Sequence, residues 1–475
     1  MSAGIKFGTD GWRAVIAEDF TFGNVRACAQ GVADFLKTAG TGSKGLVIGY
    51  DTRFASEDFA AAAAEVIAGN GIKVILLSKA APTPVTSYTL TNLKAAGGIM
   101  ITASHNPASY NGFKYKVETG SSAPTEVISV IEKGANEAVT SGKINRVELK
   151  DAIKKKSVAF HDPYHAYAKH LGKLIDLEAL RQRKLQIVAD SMFGAGIGYF
   201  KSLLEGGQID IHEINRVRNP LFPGIQPEPI SKNLGKLARH VIRDNAAVGL
   251  ATDGDADRIG MVDENGRYRN TQEVFALLAM YFLDVRKERG AIVKTLTSTD
   301  MLYKIGELYK VPVFETQVGF KYVAPIMIAE NALLGGEESG GYAFRGHIPE
   351  RDGMLAGLFL LDYIARTGKS PSQLLADLYK KVGPHYYDRV DVHLTEESSQ
   401  KARAAMASLG EIDKIGQQKV VNLNKIDGFR YKLEDGAWLL IRFSGTEPLI
   451  RIYAESSSAE EVQKLIQDGQ KILGV

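Results

Sequence analysis

Three aspartates alternate with small residues in Asp253-Gly254-Asp255-Ala256-Asp257, and Arg258 follows directly. Carboxylates two positions apart on an extended or turned segment can point to one side. The glycine and alanine between them let the backbone close around an ion, and hard oxygen donors suit Mg²⁺ or Ca²⁺. Three packed aspartates repel one another, which favours a counter-cation. Arg258 could supply part of that charge, so a solvated acidic turn is the alternative. An EF-hand is the other rival, because Asp253, Asp255, Asp257 and Glu264 fill its positions 1, 3, 5 and 12. Arg258, however, stands where the sharp-turn glycine belongs, and the flanks 247–250 and 259–262 read as strands rather than helices.

Ser104 lies in Thr102-Ala103-Ser104-His105-Asn106-Pro107. A serine hydroxyl on a loop can act as nucleophile or carry a phosphoryl group. His105 adjoins it too closely in sequence to be the base of a conventional triad, but His105 and Lys114 could neutralise phosphate charge. Asn106-Pro107 and Asn111-Gly112 are also strong turn signals, so an ordinary turn is the competing reading. Arg442, Ser444, Gly445, Thr446 and Arg451 offer two guanidinium groups, two hydroxyls and a flexible backbone to one anion, for which phosphate is the natural guest. A β-turn with flanking surface arginines would look the same. Glu337, Glu338 and Ser339, set between glycine pairs, have the carboxylates a sugar site needs, or are exposed glutamates at a turn. The Phe7–Arg13 stretch is a further glycine-rich turn. No GxxxxGK[ST] loop or kinase-type glycine loop is present. Together these parts point to phosphoryl transfer on a polyhydroxylated phosphate ester, with a donor that need not be a nucleotide.

Strand-like runs alternate with helix-like stretches, which indicates α/β construction. Three stretches share one order, starting near residues 45, 185 and 291. Each begins with an apolar strand and a helix. Each continues with a second apolar run (72–77, 209–214, 311–314) and reaches a third that ends in a chemically loaded loop: 102–107, 252–258 or 336–341. Sites in open α/β sheets lie beyond strand ends, so three such loops could meet in one cleft. A fourth unit follows Gly383-Pro384, and its last helix is expected to start at Ser458 with Glu461 completing a capping box. Lys154-Lys155-Lys156 reads as a solvated connection between the first two units.

The 475 residues contain 45% hydrophobic and 24% charged side chains, with a net charge of +3. That balance argues against a nucleic-acid or membrane partner. Cys28 is the single cysteine, so neither an internal disulfide nor a cysteine zinc site is expected, and a reducing, cytoplasmic setting fits. The N-terminus lacks the apolar core of a signal peptide, and no apolar run approaches the roughly 18 residues of a membrane span. Glycine, at 48 residues, exceeds the usual level of about 7%.

These motifs, in this order, give a chain that resembles the α-D-phosphohexomutase family over essentially its whole length. The resemblance implies an isomerase with four domains: three related α/β units with mixed sheets, plus a smaller α+β C-terminal domain, around a central cleft. The expected boundaries are 1–153 (phosphoserine loop), 154–263 (metal loop), 264–378 (sugar loop) and 379–475 (phosphate loop). It implies that Ser104 is phosphorylated in the active enzyme. Mg²⁺ would be held by Asp253, Asp255, Asp257 and a phosphate oxygen on Ser104. Arg258, Lys114 and Arg13 match residues near the transferring group, with His105 beside them. Glu337 and Ser339 match readers of sugar hydroxyls. Arg442, Ser444, Gly445 and Thr446 match the phosphate clamp, with Arg451 beside it. Lys294 and the loop containing Thr316, Gly319 and Lys321 match further substrate contacts.

The partners implied are small-molecule hexose phosphates, with glucose 1,6-bisphosphate as activator and intermediate. A monomer or small homo-oligomer is expected. Relatives that act on mannose or glucosamine carry a histidine where Gly341 stands, and Glu337-Glu338-Ser339 is similar to the phosphoglucomutase form. Phe320 also departs from the His or Trp of relatives. The expectation is therefore glucose 1-phosphate/glucose 6-phosphate interconversion. The alternatives are a phosphomannomutase, a dual-specificity enzyme, a phosphoglucosamine mutase, or a non-catalytic phosphosugar-binding protein.

Overall fold

The computed structural model describes residues 4–393, 409–443 and 449–474. The first unit contains β1 (Trp12–Val15), β2 (Leu46–Tyr50), β3 (Val74–Leu77), β4 (Gly97–Ile101), β5 (Tyr110–Val117) and β6 (Val158–His161). The second contains β7 (Gln186–Asp190), β8 (Asp210–Ile214), β9 (Val248–Thr252), β10 (Ile259–Asp263) and β11 (Tyr268–Arg269). The third contains β12 (Ile292–Thr295), β13 (Val313–Thr316), β14 (Leu334–Gly336) and β15 (Tyr342–Phe344).

The sheet orders contain one repeated pattern: β3-β2-β4-β5, β8-β7-β9-β10 and β13-β12-β14-β15. In each, three parallel strands are followed by one that returns antiparallel. The three loaded loops occupy the same place, between the third and fourth strands of each pattern. The triplication expected from the sequence is thus the architecture of the chain. β4, β9 and β12 are buried at every residue, as parallel strands covered on both faces require.

Two helices help to join the repeats. Thr271–Met280 is buried at all ten positions, and Gly353–Thr367 at most of its length. Both feed an apolar core that also takes residues from the first and second units, including Val47, Leu77, Ile187 and Leu250. A helix apolar all round is stable only inside such a core.

The fourth unit is an antiparallel sheet of β16 (Tyr386–His393), β17 (Lys414–Ile415), β18 (Gln418–Asn424), β19 (Phe429–Leu433), β20 (Trp438–Phe443) and β21 (Leu449–Ser456), in the order β16-β21-β20-β19-β18-β17. Helix Ala459–Leu473 covers one side and has its own apolar core with the sheet. Ser458 caps that helix by accepting from Glu461 N. Glu461, instead of reaching back to the cap, accepts from the Ser456 and Ser457 hydroxyls, so half of the expected box forms.

The boundaries move from those expected. β6 pairs with β3, so the first unit extends to His161. Lys154-Lys155-Lys156 is exposed, but it lies inside that unit, leading into β6. β11 pairs with β10 and carries the second unit past 263. Helix Pro371–Val382 carries the third past 378. Short edge strands and a terminal helix owe their place to partners distant in sequence, which local pattern does not reveal. Among the described residues, no helix is long and apolar enough to cross a membrane.

One detail marks the repeat at atomic level. Asp51 follows β2 and Asp190 ends β7, and each accepts from the backbone N–H two residues on, Arg53 and Met192 respectively. Burial pushes the Asp190 carboxyl up from its ordinary 3.8 to about 6. Between those values the folded chain keeps a proton that the unfolded chain releases. The group therefore costs stability as pH rises through that window. Asp190→Asn lacks this term. Its unfolding free energy relative to the parent should improve by about 2.4 kcal/mol between pH 4 and pH 7, measured by denaturant unfolding. A difference that does not change with pH would contradict this.

Candidate active site

Ser104 sits beyond β4, only 1% exposed, with a left-handed backbone at φ +51°. What holds it there is Arg53, a fully buried residue that no sequence motif singled out. The Arg53 guanidinium donates to the carbonyls of Ser104 (2.6 Å), Asn106 (2.6 Å), Pro107 (2.8 Å) and Tyr110 (3.0 Å). Asp51 lies 3.2 Å from Arg53 Nε and accepts from the Thr102 and Ser56 hydroxyls at 2.6 and 2.8 Å. Thr102 Oγ1 accepts in turn from Ser104 N. Burial pushes the Asp51 carboxyl up against the pull of Arg53. A buried pair thus shapes the whole serine loop.

The aspartate loop meets that serine directly. Ser104 Oγ donates to Asp253 Oδ2 at 2.9 Å. Gly254 is required here, because a Cβ would lie 2.3 Å from Ser104 O. Asp253, Asp255 and Asp257 are all buried, and one oxygen of each lies within 4.8 Å of the others. Asp255 Oδ2 accepts from Thr83 Oγ1 (2.6 Å) and Lys114 Nζ (3.0 Å). Burial would raise this carboxyl, but Lys114 and Thr83 overcome that and hold it below the ordinary range. Burial raises Asp253 well above that range, and Asp255 and Asp257 push the same way. Asp257 is raised by burial against Arg351. Asp255 Oδ1 and Asp257 Oδ1 have no hydrogen-bond partner among the described residues. Orphaned, hard, buried oxygens converging in this way suit a divalent cation. β9 and β10 flank the loop, so the EF-hand reading is excluded.

Cations ring the triad. Arg258 Nε lies 4.0 Å from Asp253 Oδ2 and 3.9 Å from Asp257 Oδ1. Arg13 donates to Asn106 Oδ1 at 2.8 Å. Lys114 Nζ also pairs with Asp10 at 2.8 Å, and burial is offset by its acids so that the ammonium is held well above its usual range. Burial, with Arg258 and Arg13 nearby, drives the His105 imidazole well below its usual value. His105 Nδ1 stands 3.4 Å from Ser104 Oγ.

Arg351 is a second missed residue. It pairs with Asp257 (2.8 Å), Asp10 (3.1 Å), Glu337 (3.2 Å) and Glu350 (3.2 Å), and so ties the aspartate loop to the sugar loop and the N-terminal turn. It also explains Gly341, where a Cβ would meet Arg351 Cδ at 2.3 Å. A histidine there would collide with the guanidinium stem. Its signal was the Glu350-Arg351-Asp352 charge run, which spacing alone does not connect to any loop.

Other expected contacts divide. Glu337 is buried beside Arg351, and Ser339 is half-buried next to it. Gly319 borders the N-terminal turn at Thr9. Lys321 reaches Thr125 at 3.1 Å, and the Thr316 hydroxyl turns back to Gln317 O. Phe320 is buried under Arg351 at 5.6 Å. Lys294 lies on β12. It is fully buried, donates to Ser298 O and pairs with Asp300 and Glu315, both at 3.1 Å.

Ser444, Gly445 and Thr446 lie outside the described residues. Arg442 and Arg451, which flank them, are direct cross-strand partners of β20 and β21. Like charges directly opposite destabilise a sheet unless they are offset, and here each arginine has a carboxylate beside it. Asp427 lies 2.9 Å from Arg442 Nε, and Asp391 lies 3.6 Å from Arg451 Nε. A further donor cluster, His212, His240 and Asp244, lies on the second unit. There Arg243 already donates to Asp244 at 2.7 Å, which supplies the balancing charge.

Comparison with known proteins matches all four domain profiles of one family. Three are phosphoglucomutase/phosphomannomutase alpha/beta/alpha domains I, II and III, at residues 4–141, 165–266 and 270–382. The fourth is the family's C-terminal domain, at residues 392–469. A phosphoglucomutase/phosphomannomutase of Thermococcus kodakarensis is 31% identical over 99% of this chain and 98% of its own. A phosphoglucosamine mutase of Carboxydothermus hydrogenoformans is 30% identical over 98% of each. The crystal structure of a Thermus thermophilus protein, named as a phosphomannomutase, superposes with a TM-score of 0.86 at 35% identity over both full chains.

Arg53 offers a direct test of the serine-loop geometry. Arg53→Ala should cost about 3–5 kcal/mol in urea unfolding, because it strands Asp51 as a buried charge. Adding Asp51→Asn should recover part of that loss. A near-neutral Arg53→Ala would show that the pair does not hold the loop.

Proposed function

The chain belongs to the phosphoglucomutase/phosphomannomutase family and is a phosphohexomutase, and from that premise we propose that it interconverts glucose 1-phosphate and glucose 6-phosphate. In this reading Ser104 is the phosphorylated residue, glucose 1,6-bisphosphate is the intermediate, and the setting is cytoplasmic. The observation that carries it is the Ser104 hydroxyl, hydrogen-bonded at 2.9 Å to a buried carboxylate triad ringed by cations.

The chemistry follows from these groups. The bond from phosphorus to Ser104 Oγ breaks as the free sugar hydroxyl bonds to phosphorus. The proton lost by that hydroxyl ends on Ser104 Oγ. His105, neutral and 3.4 Å from that oxygen, is placed to relay it. Lys114 stays charged, so it offsets developing negative charge rather than accepting a proton. Arg13 and Arg258 act in the same way. Mg²⁺, held by Asp253, Asp255 and Asp257, would offset charge on the transferring phosphoryl. Arg442 and Arg451 hold the other phosphate, which orients the sugar. The second phosphoryl returns to Ser104 after the bisphosphate reorients in the cleft.

Glucose is favoured by Glu337-Glu338-Ser339 and by Gly341, where Arg351 leaves no room for the histidine of mannose- and glucosamine-type relatives. The names of the similar proteins span all three sugars, so mannose and glucosamine phosphates are the competing substrates.

A panel of kcat/KM values for the three hexose 1-phosphates, with Mg²⁺ and a trace of glucose 1,6-bisphosphate, decides among them. Glucose 1-phosphate should lead by about tenfold or more, the order that one lost polar contact or clash produces. A higher value for either rival would reassign the substrate. Ser104→Ala should fall to background, and EDTA should abolish activity until Mg²⁺ is restored. Full activity in Ser104→Ala would sink the mechanism, and phosphate release matching turnover would indicate a phosphatase instead.

A further inference from the structure

The sugar loop hangs between two arginines of different character. On one side Glu337 pairs with Arg351, and that pair is buried with the aspartate loop. On the other side Glu338 reaches across to the fourth unit, where Arg389 Nη1 donates to Glu338 Oε1 at 2.7 Å. This second pair is partly exposed, at 38% for Arg389 and 14% for Glu338. A buried pair is costly to break, whereas a partly exposed one contributes less. The loop is therefore held by a buried pair on the metal side and by a more exposed pair on the phosphate side.

Arg389 is also the end of a row that leads to the proposed phosphate clamp. Its Nε pairs with Asp391 Oδ1 at 3.0 Å, and Asp391 Oδ2 lies 3.6 Å from Arg451 Nε. Asp391 is the cross-strand partner of Arg451, and Arg451 that of Arg442. Alternate residues share a strand face, so Arg389 and Asp391 lie on the face that carries both clamp arginines. Glu338 itself has a fixed backbone, since its carbonyl accepts from Thr271 Oγ1 at 2.5 Å. Its carboxylate is the part that answers to the fourth unit.

We propose that Glu338 and Arg389 are positioning residues that couple phosphate capture on the fourth unit to the setting of the sugar loop. A phosphate seated between Arg442 and Arg451 draws Arg451 away from Asp391. Asp391, freed of Arg451, then holds Arg389 more firmly, and Arg389 keeps Glu338 pinned so that Glu337 and Ser339 face the sugar. The proposal rests on the phosphohexomutase reading and adds to it a partner for Glu338 on the fourth unit and a role for Arg389.

The test compares the full chain with Glu338→Gln, Arg389→Ala, the double variant and Arg389→Lys. Each of the first two should raise KM for the preferred hexose 1-phosphate about two- to fivefold, the range an exposed pair can deliver, with kcat within about twofold. The double variant should be no worse than either single one, and Arg389→Lys should keep a KM near the parent value. Thermal midpoints should not move. Unchanged KM values, or additive effects in the double variant, would overturn the coupling. Small-angle scattering of the same proteins with and without glucose 1-phosphate gives a readout free of turnover. The variants should compact less on adding the sugar phosphate than the parent does, and equal compaction would also overturn the coupling. A parent that turns over no hexose phosphate, but compacts where its variants do not, would count against the function and not against the pair.

Discussion

Three carboxylates buried away from water must be neutralised, and that requirement organises the middle of this molecule. Asp253, Asp255 and Asp257 sit at 0% exposure where the second unit meets the first. Uncompensated charges in such a place would cost several kcal/mol each. Lys114 comes from β5, Arg258 from the loop itself, and Arg351 from the turn before helix Gly353–Thr367. The first three units each lend a cation to one acidic loop. The cations still leave oxygens unpartnered, which is why the site suits a metal ion.

The same arrangement keeps Ser104 dry and aimed. Its left-handed backbone would be strained in isolation, and four carbonyl bonds from Arg53 hold the loop around it. Arg218 then donates to the carbonyls of Thr52 and Arg53, so the second unit braces the brace. A phosphoryl group on Ser104 would meet preorganised donors rather than loose water.

The fourth unit is attached on different terms. Its contact with the third is centred on Asp300, which accepts from Lys294, Arg430 and Lys432, and on Glu455, which accepts from Trp438 Nε1 and Asp300 N. Among the described residues, a small apolar cluster of Leu296, Trp438, Leu440 and Tyr453 joins them. Ionic groups are well hydrated when an interface parts, whereas a large apolar face is not. Under the proposed function, a clamp that releases a sugar for reorientation is better served by such an interface than by a fused core. Lys294 takes part in this junction through Asp300.

The sequence by itself determined the repeat, the four units and the loops that carry chemistry. Strand patterns depend on neighbours two residues apart, and a run such as Asp253-Gly254-Asp255-Ala256-Asp257 declares its chemistry within five positions. Only the tertiary structure decided which residues complete those loops. Arg351 meets Asp10 across 341 positions, Arg53 meets Ser104 across 51, and Arg389 meets Glu338 across 51. An arginine's partners are set by where the chain returns, and local pattern carries no record of that. The same reason placed β6 in the first sheet. Burial and long-range charge pairing are properties of the folded surface, and they come into being when the units pack.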